Sequence, residues 1–339
     1  MGYRYLGNKT LLADRLYALM SEYIEPGARI ADPMCGTAAI SAKLRQQQHP
    51  VVAGDLMTYS AHHARTRLLF DRPPQFATLG MKYEEVIQYL NLEVPPRQGL
   101  FYHEYSPAGA PVSGTEPRKY FTPENAMRID GILWQLKLWK SSIPELLDSV
   151  LRHDLILAVN SIANIAGTYG HYRSTFSKGT CRPLTITPSQ FLSARTDHVV
   201  EIGQAADTLR RHEVDAVYLD PPYKKRQYAA NYHILETIAR GDTPTPVGVS
   251  GLRDWWPEYS DFCSKTKIEE AFHELFSATN SPLFFVSYSE DGLISDTQIR
   301  EILSAYGSLE RYTLKHSRFK SNKGGIGGTL NEYLYVIRR

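Results

Sequence analysis

The sequence contains few cysteines and no long uninterrupted apolar segment. Its 339 residues include three cysteines, Cys35, Cys181 and Cys263, an odd number at wide spacing. This spacing excludes a zinc-finger pattern and a disulfide framework, and it is typical of a reducing compartment. The most apolar stretch, residues 155–166, is interrupted by two asparagines, so no membrane span is predicted. Because residues 1–5 also lack the features of a signal peptide, we expect a cytoplasmic protein.

The chain also lacks a strong excess of charge of either sign. Its 38 Lys and Arg residues against 36 Asp and Glu residues leave a formal net charge of +2. Any contact with nucleic acid must therefore come from local basic patches. The eleven histidines form no helical H-x-x-x-H pair, and no metal site is predicted. A hydrophobic content of 42% is enough for a packed core, and the length suits about two domains.

Helices and strands alternate at the start of the chain. Apolar residues at helical spacing predict the helices, and short apolar runs that end at an aspartate predict the strands. This βαβα order is typical of a doubly wound parallel sheet, which is a Rossmann-like α/β fold. The predicted elements are helix 9–24, strand 28–31, helix 37–48, strand 51–53 and helix 60–70.

The alternation stops in the middle third of the chain. Helices at residues 125–139 and 143–166 lie here among Pro-rich and Gly-rich loops, without a strand. We therefore predict a mainly helical insertion over residues 76–199, within a sheet domain formed by residues 1–75 and 200–339. Strands resume at residues 214–219, 283–288, 309–314 and 332–337. The last two of these are predicted to form a C-terminal β-hairpin.

The most informative motif is Asp220-Pro221-Pro222-Tyr223, at the end of the predicted strand 214–219. Open α/β sheets bind their ligands at the carboxyl ends of strands. A carboxylate and a proline-fixed carbonyl both accept hydrogen bonds from an exocyclic amine, and they stabilise the charge that develops when this nitrogen attacks a methyl group. A tyrosine ring can stack on a base extruded from a duplex. The alternative is a strand that ends in an ordinary Pro-Pro turn.

A second constellation indicates the type of cofactor. Residues 32–38 form a strand-to-helix turn in which Gly36 lets a ligand approach the backbone. Asp55 ends the next strand, where nucleotide-binding sheets place a carboxylate for ribose hydroxyls. Because a G-x-G-x-x-G motif and a phosphate-binding lysine loop are both missing, the pattern favours a nucleoside-like ligand without phosphates, such as S-adenosylmethionine. The alternative is a tight turn beside a solvated aspartate.

These motifs follow one another in an order that is known from a family. Gly7-Asn8-Lys9, residues 32–36, Asp55, the insertion and residues 220–223 together resemble the adenine-specific DNA methyltransferases of the amino-methylating class, in the order of the Dam-like group. Residues 121–130 and 226–237 are similar to a subset of restriction-modification methylases. The resemblance spans nearly the whole chain. One departure is Ala38, where many relatives have a second glycine.

The resemblance implies S-adenosylmethionine as the cofactor, adenine N6 as the acceptor and no metal. Lys9 would meet the methionine carboxylate, Asp55 the ribose hydroxyls and Asp207 the adenine amino group of the cofactor. Residues 1–75 and 200–339 would form the catalytic domain and residues 76–199 the target-recognition insertion, and residues 220–223 would hold the target base. The implied catalytic residues are Asp220, Pro221, Pro222 and Tyr223, and the implied cofactor-binding residues are Tyr5, Gly7, Lys9, Asp32, Pro33, Cys35, Gly36, Thr37, Asp55, Leu56 and Asp207.

The resemblance also implies double-stranded DNA as the partner and a cognate restriction endonuclease as a second partner. It further implies a monomer that is encoded by a bacterium or a phage. Basic side chains interleaved with aromatic ones suit contacts with phosphates and with an extruded base, although such a cluster can also be a solvated charged loop. The candidate DNA-binding residues are Arg226, Tyr228, Tyr232, Lys315, Arg318 and Lys320.

Three other functions remain open. An RNA adenine methyltransferase would use the same pocket, but it usually carries an RNA-binding module, and none is evident here. A protein glutamine methyltransferase favours asparagine at the first motif position because it holds a neutral amide, so Asp220 argues against it. A catalytically inactive DNA-binding relative stays open because of Ala38.

Overall fold

A computed structural model describes residues 4–317 and 329–339. The chain divides into two compact units. The sheet unit comprises Gly7–Asp71, Ser193–Tyr228 and Glu258–Arg339, and the helical unit comprises Met1–Leu6, Arg72–Leu192 and Ala229–Pro257. Within the described ranges, no helix has the length and apolar character needed to cross a membrane.

A seven-stranded sheet is the centre of the sheet unit. The strands, numbered along the chain, are β1 (Ile30–Asp32), β2 (Val51–Asp55), β3 (Gln75–Phe76), β4 (Met81–Lys82), β5 (Val199–Ile202), β6 (Ala216–Leu219), β7 (Leu283–Ser289), β8 (Ser308–Ser317) and β9 (Thr329–Arg338). The order in the large sheet is β5-β2-β1-β6-β7-β9-β8. The first five of these strands are mutually parallel, whereas β9 runs antiparallel to both β7 and β8. The predicted Rossmann-like sheet with a C-terminal hairpin is therefore confirmed.

Six of the twelve α-helices in the described residues cover the two faces of this sheet. The helices are α1 (Ala13–Met20), α2 (Ala39–Gln46), α3 (Thr58–Leu68), α4 (Tyr83–Leu92), α5 (Leu100–Tyr105), α6 (Pro123–Trp139), α7 (Glu145–Ile162), α8 (Ala205–Arg211), α9 (Tyr228–Asn231), α10 (His233–Arg240), α11 (Ile268–Ser277) and α12 (Asp296–Ser304). Side chains alternate along each strand, so that Tyr218 of β6 joins one apolar layer and Val217 the other. Helices α1 to α3 pack on the first layer, and α8, α11 and α12 pack on the second.

Strand β5 is absent from the prediction. It lies at the edge of the sheet and pairs with β2, in the register Asp55↔Ile202. Its residues are half-buried or exposed, so the sequence carries neither a continuous apolar run nor a clear alternation there.

The helical unit is larger than the predicted insertion over residues 76–199. It also contains residues 229–257, because α10 packs on α7: the guanidinium of Arg152 donates to the carbonyl oxygen of Ile238 at 2.6 Å. Helix α6 begins as its Thr-Pro sequence indicates, with the hydroxyl of Thr122 accepting from the backbone N–H of Asn125 at 3.3 Å.

We expect Arg45→Met to lower the free energy of unfolding of the sheet unit by about 3 kcal/mol. Arg45 is buried near the end of α2, and its loss would leave the carbonyl oxygens that accept from it without donors. Arg45 is 1% exposed and donates to the carbonyl oxygens of Arg67, Phe70, Ala194 and Arg195. Urea unfolding measures the change. The matched control is Gln47→Met, on the exposed C-cap of the same helix, and equal losses in both variants would contradict the explanation.

Candidate active site

Aspartates stand at the carboxyl ends of neighbouring strands of the sheet unit. Asp32 ends β1, Asp55 ends β2 and Asp220 follows β6. Because these strands are parallel neighbours, the carboxyl groups share one edge of the sheet. Burial, with the nearby charges of Asp220 and Asp55, raises the pKa of Asp32 to about 7 against an opposing hydrogen bond from Ser41. This edge has excess negative charge, so it suits a ligand with a positive charge.

A buried lysine links Asp220 to a further carboxylate. Lys9 Nζ lies 2.7 Å from Asp220 Oδ1 and 3.2 Å from Glu332 Oε1, and it also donates to the carbonyl oxygen of Gly7 at 3.2 Å. The Ser287 hydroxyl donates to Glu332 Oε1 at 2.6 Å. The side chains of Lys9 and Glu332 are each 4% exposed, whereas that of Asp220 is 18% exposed. Of these three groups, Asp220 is therefore the one that a ligand can reach.

The charges of this cluster follow from burial and proximity. Burial alone would lower the pKa of Lys9, but the attraction of Asp220 and Glu332 outweighs it and raises that pKa well above its ordinary value. The pKa of Asp220 is raised to about 6, mainly by burial, with the attraction of Lys9 opposed by the repulsion of Glu332. At neutral pH the lysine is therefore charged and the aspartate is mostly ionised.

The Tyr223 ring is held firmly beside this cluster. Its centroid lies 5.8 Å from Lys9 Nζ and 5.6 Å from Lys224 Nζ, and Tyr288 meets it edge-on at 6.2 Å. Gly7 has a φ of +75°, which favours glycine, and a Cβ added there would lie 3.3 Å from Tyr223 Cε1 and crowd the ring. Tyr223 is 9% exposed, which leaves a narrow part of its surface for a ligand.

The turn after β1 brings backbone N–H groups to the same edge. Gly36 and Ala38 both have left-handed backbones, with φ of 52° and 56°. Asp55 supports the turn, since its Oδ2 accepts from the N–H of Gly36 at 2.8 Å and its Oδ1 accepts from the N–H of Met57 at 2.9 Å. Helix α2 starts after Ala38 without a side-chain cap, so its first N–H groups face the turn.

Most of the predicted cofactor residues gather around this turn. Pro33, Cys35 and Thr37 are buried within it, and Leu56 is partly buried beside Asp55. Burial raises the pKa of the Cys35 thiol well above its ordinary value, which keeps the group neutral.

Two other predicted cofactor residues have partners of their own. Tyr5 belongs to the helical unit, where its ring stacks on that of Tyr232 at 4.7 Å. Asp207 is half-exposed in the first turn of α8 and pairs with Arg210 at 2.7 Å. After β5 ends at Ile202, the N–H of Gly203 donates to the carbonyl oxygen of Asp55 at 3.0 Å. Gln204, the residue before α8, follows directly.

The predicted DNA-binding residues also differ in their surroundings. Arg226 and Lys315 are exposed, and Tyr228 is partly buried. Tyr232 is fully buried, and its hydroxyl accepts from the N–H of Leu6 at 2.7 Å, so the structure gives it a packing role in the helical unit in place of a contact with DNA. The predictions for Arg318 and Lys320 fall outside the described residues.

Glu332 is the residue of this cluster that the sequence reasoning missed. In β9 it occupies an inward-facing position between Leu330 and Leu334, both of which are buried. An acid in the apolar register of a strand was the available signal, because a buried carboxylate needs a partner.

The chain is similar to known proteins over nearly its whole length. A model of the D12 class N6 adenine-specific DNA methyltransferases matches residues 5–311. The type II methyltransferase M.NlaIII of Neisseria lactamica is 31% identical over 99% of both chains. M.FokI of Planomicrobium okeanokoites is 32% identical over 99% of this chain, which spans 52% of that relative. M.CviAII of Paramecium bursaria Chlorella virus 1 is 29% identical over 98% of this chain and 97% of its own.

We expect the stability difference between the native chain and Asp32→Asn to change with pH. Asp32 has a raised pKa of about 7, so the folded chain holds a proton there that the unfolded chain releases near pH 4. Because only the unfolded chain ionises this group between about pH 4 and about pH 7, the free energy of unfolding of the native chain falls by roughly 2–4 kcal/mol over this range, and the amide variant lacks this loss.

Urea unfolding of both proteins from pH 4 to pH 8 measures this difference. Ser41→Ala removes the hydroxyl that donates to Asp32 Oδ2 at 2.5 Å and so raises the pKa of Asp32 further, and the loss of stability in that variant should extend to higher pH than in the native chain. Parallel curves for the native chain and Asp32→Asn would contradict the raised pKa.

Proposed function

Because the chain belongs to the family of D12 class N6 adenine-specific DNA methyltransferases, as its motifs indicate, we propose that it transfers a methyl group from S-adenosylmethionine to adenine N6 at one specific site in double-stranded DNA. The main support at the level of residues is Asp220, a partly accessible carboxylate at a strand end, followed by two prolines and a buried tyrosine.

The strand ends fit S-adenosylmethionine, which supplies the methyl group when it is bound. The sulfonium and ammonium of this molecule are cationic, and the edge formed by Asp32, Asp55 and Asp220 has excess negative charge. Among the described residues, the buried Asp32 Oδ1 has no hydrogen-bond partner, so a donor from the ligand would satisfy it. The left-handed turn at Gly36 lets the ligand approach the backbone, and Asp55 would accept from the ribose hydroxyls.

Asp220 and the Pro221 carbonyl act on the target base. Adenine N6 would form its bond to the methyl group as the bond between that methyl and the sulfonium sulfur breaks, with the electron pair staying on sulfur as a neutral thioether. The N6 nitrogen gains positive charge in this step, and both oxygen acceptors stabilise that charge through hydrogen bonds from its N–H groups until one N6 proton is lost to water. Proline has no N–H, so this turn presents acceptors only. A pKa of about 6 leaves Asp220 ionised at pH 8, and the ionised form is the one that accepts hydrogen bonds from the target amine. The base reaches the pocket after extrusion from the duplex, and Tyr223 provides a rigid aromatic surface against it.

The biological setting that we propose is restriction and modification. The relatives M.NlaIII, M.FokI and M.CviAII are all type II methyltransferases. We propose a monomer that works beside a cognate endonuclease, with Arg226 and Lys315 as exposed contacts for DNA phosphates.

Asp220→Ala is expected to reduce the single-turnover rate of methyl transfer by about a thousandfold or more, because it removes an acceptor aimed at the developing charge. The fold should persist, since Lys9 keeps Glu332 and the Gly7 carbonyl as partners. Transfer of a radiolabelled methyl group to DNA gives the rate, and thermal stabilisation by S-adenosylmethionine checks the fold and cofactor binding. A near-native rate would refute the role of Asp220.

The function itself is tested by single-molecule sequencing of DNA from a methylation-deficient host that expresses the protein. We expect N6-methyladenine at one recurring motif in the native culture and unmodified DNA in a matched culture with Asp220→Ala. If DNA from the native culture is unmodified although the purified protein binds S-adenosylmethionine, the DNA substrate is wrong, and RNA substrates should be tested next.

A further inference from the structure

The carboxylate that is proposed to hold the target amine already has a strong partner. Lys9 Nζ lies 2.7 Å from Asp220 Oδ1, and the lysine is almost completely buried. A charge-assisted hydrogen bond of this kind fixes the orientation of the carboxylate and withdraws electron density from it, so that its oxygens accept less strongly from a neutral amine. Asp220 is therefore a stronger acceptor for the target amine when its bond with Lys9 loosens as the base arrives.

We infer that Glu332 is a positioning residue that retains Lys9 while Asp220 turns to the target amine. This inference rests on the proposed function of Asp220. An ammonium group has three N–H donors, and the cluster offers three acceptors: Asp220, Glu332 and the Gly7 carbonyl oxygen. When the bond to Asp220 weakens, Lys9 keeps a carboxylate and a carbonyl as partners, so no buried cation is left uncompensated.

Glu332 is fixed well enough to serve this purpose. Its strand is paired on both sides, with Glu332 opposite Ser289 of β7 and opposite Leu314 of β8. The Ser287 hydroxyl donates to Glu332 Oε1, the same oxygen that faces Lys9. A carboxylate anchored in this way cannot follow the lysine towards Asp220, so it acts as a stationary second partner.

The cluster also gives Glu332 an electrostatic effect on Asp220. The charged or titratable groups around Asp220 are Lys9 from the N-terminal segment, Glu332 from β9, Tyr218 from β6, Tyr223 from the proline turn and Asp32 from β1. Lys9 is the cation of this set, and Glu332 offsets part of its attraction. Loss of the negative charge of Glu332 would leave Lys9 bound more tightly to Asp220 and would lower the pKa of Asp220.

The test is Glu332→Gln, which keeps the shape of the side chain and an acceptor for Ser287 but removes the charge. We expect the single-turnover rate of methyl transfer to fall roughly tenfold or more, because Lys9 remains on Asp220. The acidic limb of the pH–rate profile should move to lower pH, since that limb reports the ionisation of Asp220. Dissociation constants for S-adenosylmethionine and for DNA should stay within about twofold of the native values.

Two further variants separate charge from packing. Glu332→Asp keeps the charge, so it should recover part of the rate and leave the acidic limb in place. Glu310→Gln removes a carboxylate that pairs with Arg338 on the same hairpin and should keep the native profile. If Glu332→Gln fails to fold, Glu332→Asp still tests the inference. The acidic limb of its pH–rate profile should stay in place, and a shift of that limb would overturn the inference.

A native rate for Glu332→Gln, or a reduced rate with an unmoved acidic limb, would also overturn the inference. These results are distinct from a failure of the proposed function. Activity of Asp220→Ala would refute the role of the aspartate itself, whereas an inactive Asp220→Ala beside a native-like Glu332→Gln would refute the role of Glu332 alone.

Discussion

Parallel strands that end at one edge bring their terminal side chains together, and this constraint shapes the sheet unit. Asp32, Asp55 and Asp220 each follow an apolar strand, so they converge in a region of low dielectric. Each is compensated differently: Asp55 accepts two backbone N–H groups, Asp220 pairs with a buried lysine, and Asp32 has a raised pKa. This convergence makes the edge suitable for a cationic ligand. It also lowers the stability of the fold wherever a buried carboxylate lacks a compensating charge.

The parts of this site that could be predicted are those in which a local pattern fixes a position. An aspartate directly after an apolar run identifies a strand end, and a proline pair after Asp220 identifies a rigid turn, so the sheet and its acidic edge followed from short segments. Glu332 could not be placed in this way. Its proximity to Lys9 depends on how a C-terminal hairpin returns antiparallel beside β7, and no local pattern encodes that pairing.

Other differences have similar causes. Strand β5 lies at an edge with weakly apolar residues, and the helical unit takes residues 229–257 from beyond the proline turn because α10 packs on α7. Tyr232 is an aromatic residue close in sequence to the proline turn, which suits contact with DNA, yet tertiary packing buries it against Tyr5. In each case a long-range contact decides the outcome, and propensity alone does not contain that information.

Ala38 illustrates how a local departure is tolerated. A left-handed backbone costs an alanine roughly 1 kcal/mol relative to glycine. The Cβ of Ala38 is completely buried in the apolar layer that also contains Ile40 and Leu44. Burial of a methyl group contributes a stabilisation of about the same size, which explains why the turn keeps its conformation without the second glycine.

The raised pKa of Asp32 has a consequence for the energetics of ligand binding. Near pH 7 this carboxyl is partly protonated, so a cation that binds beside it would favour ionisation and release a fraction of a proton to the solvent. The heat measured by calorimetry would then include the ionisation enthalpy of the buffer, and the apparent affinity would increase with pH. Binding and protonation at this strand end thus form one coupled equilibrium.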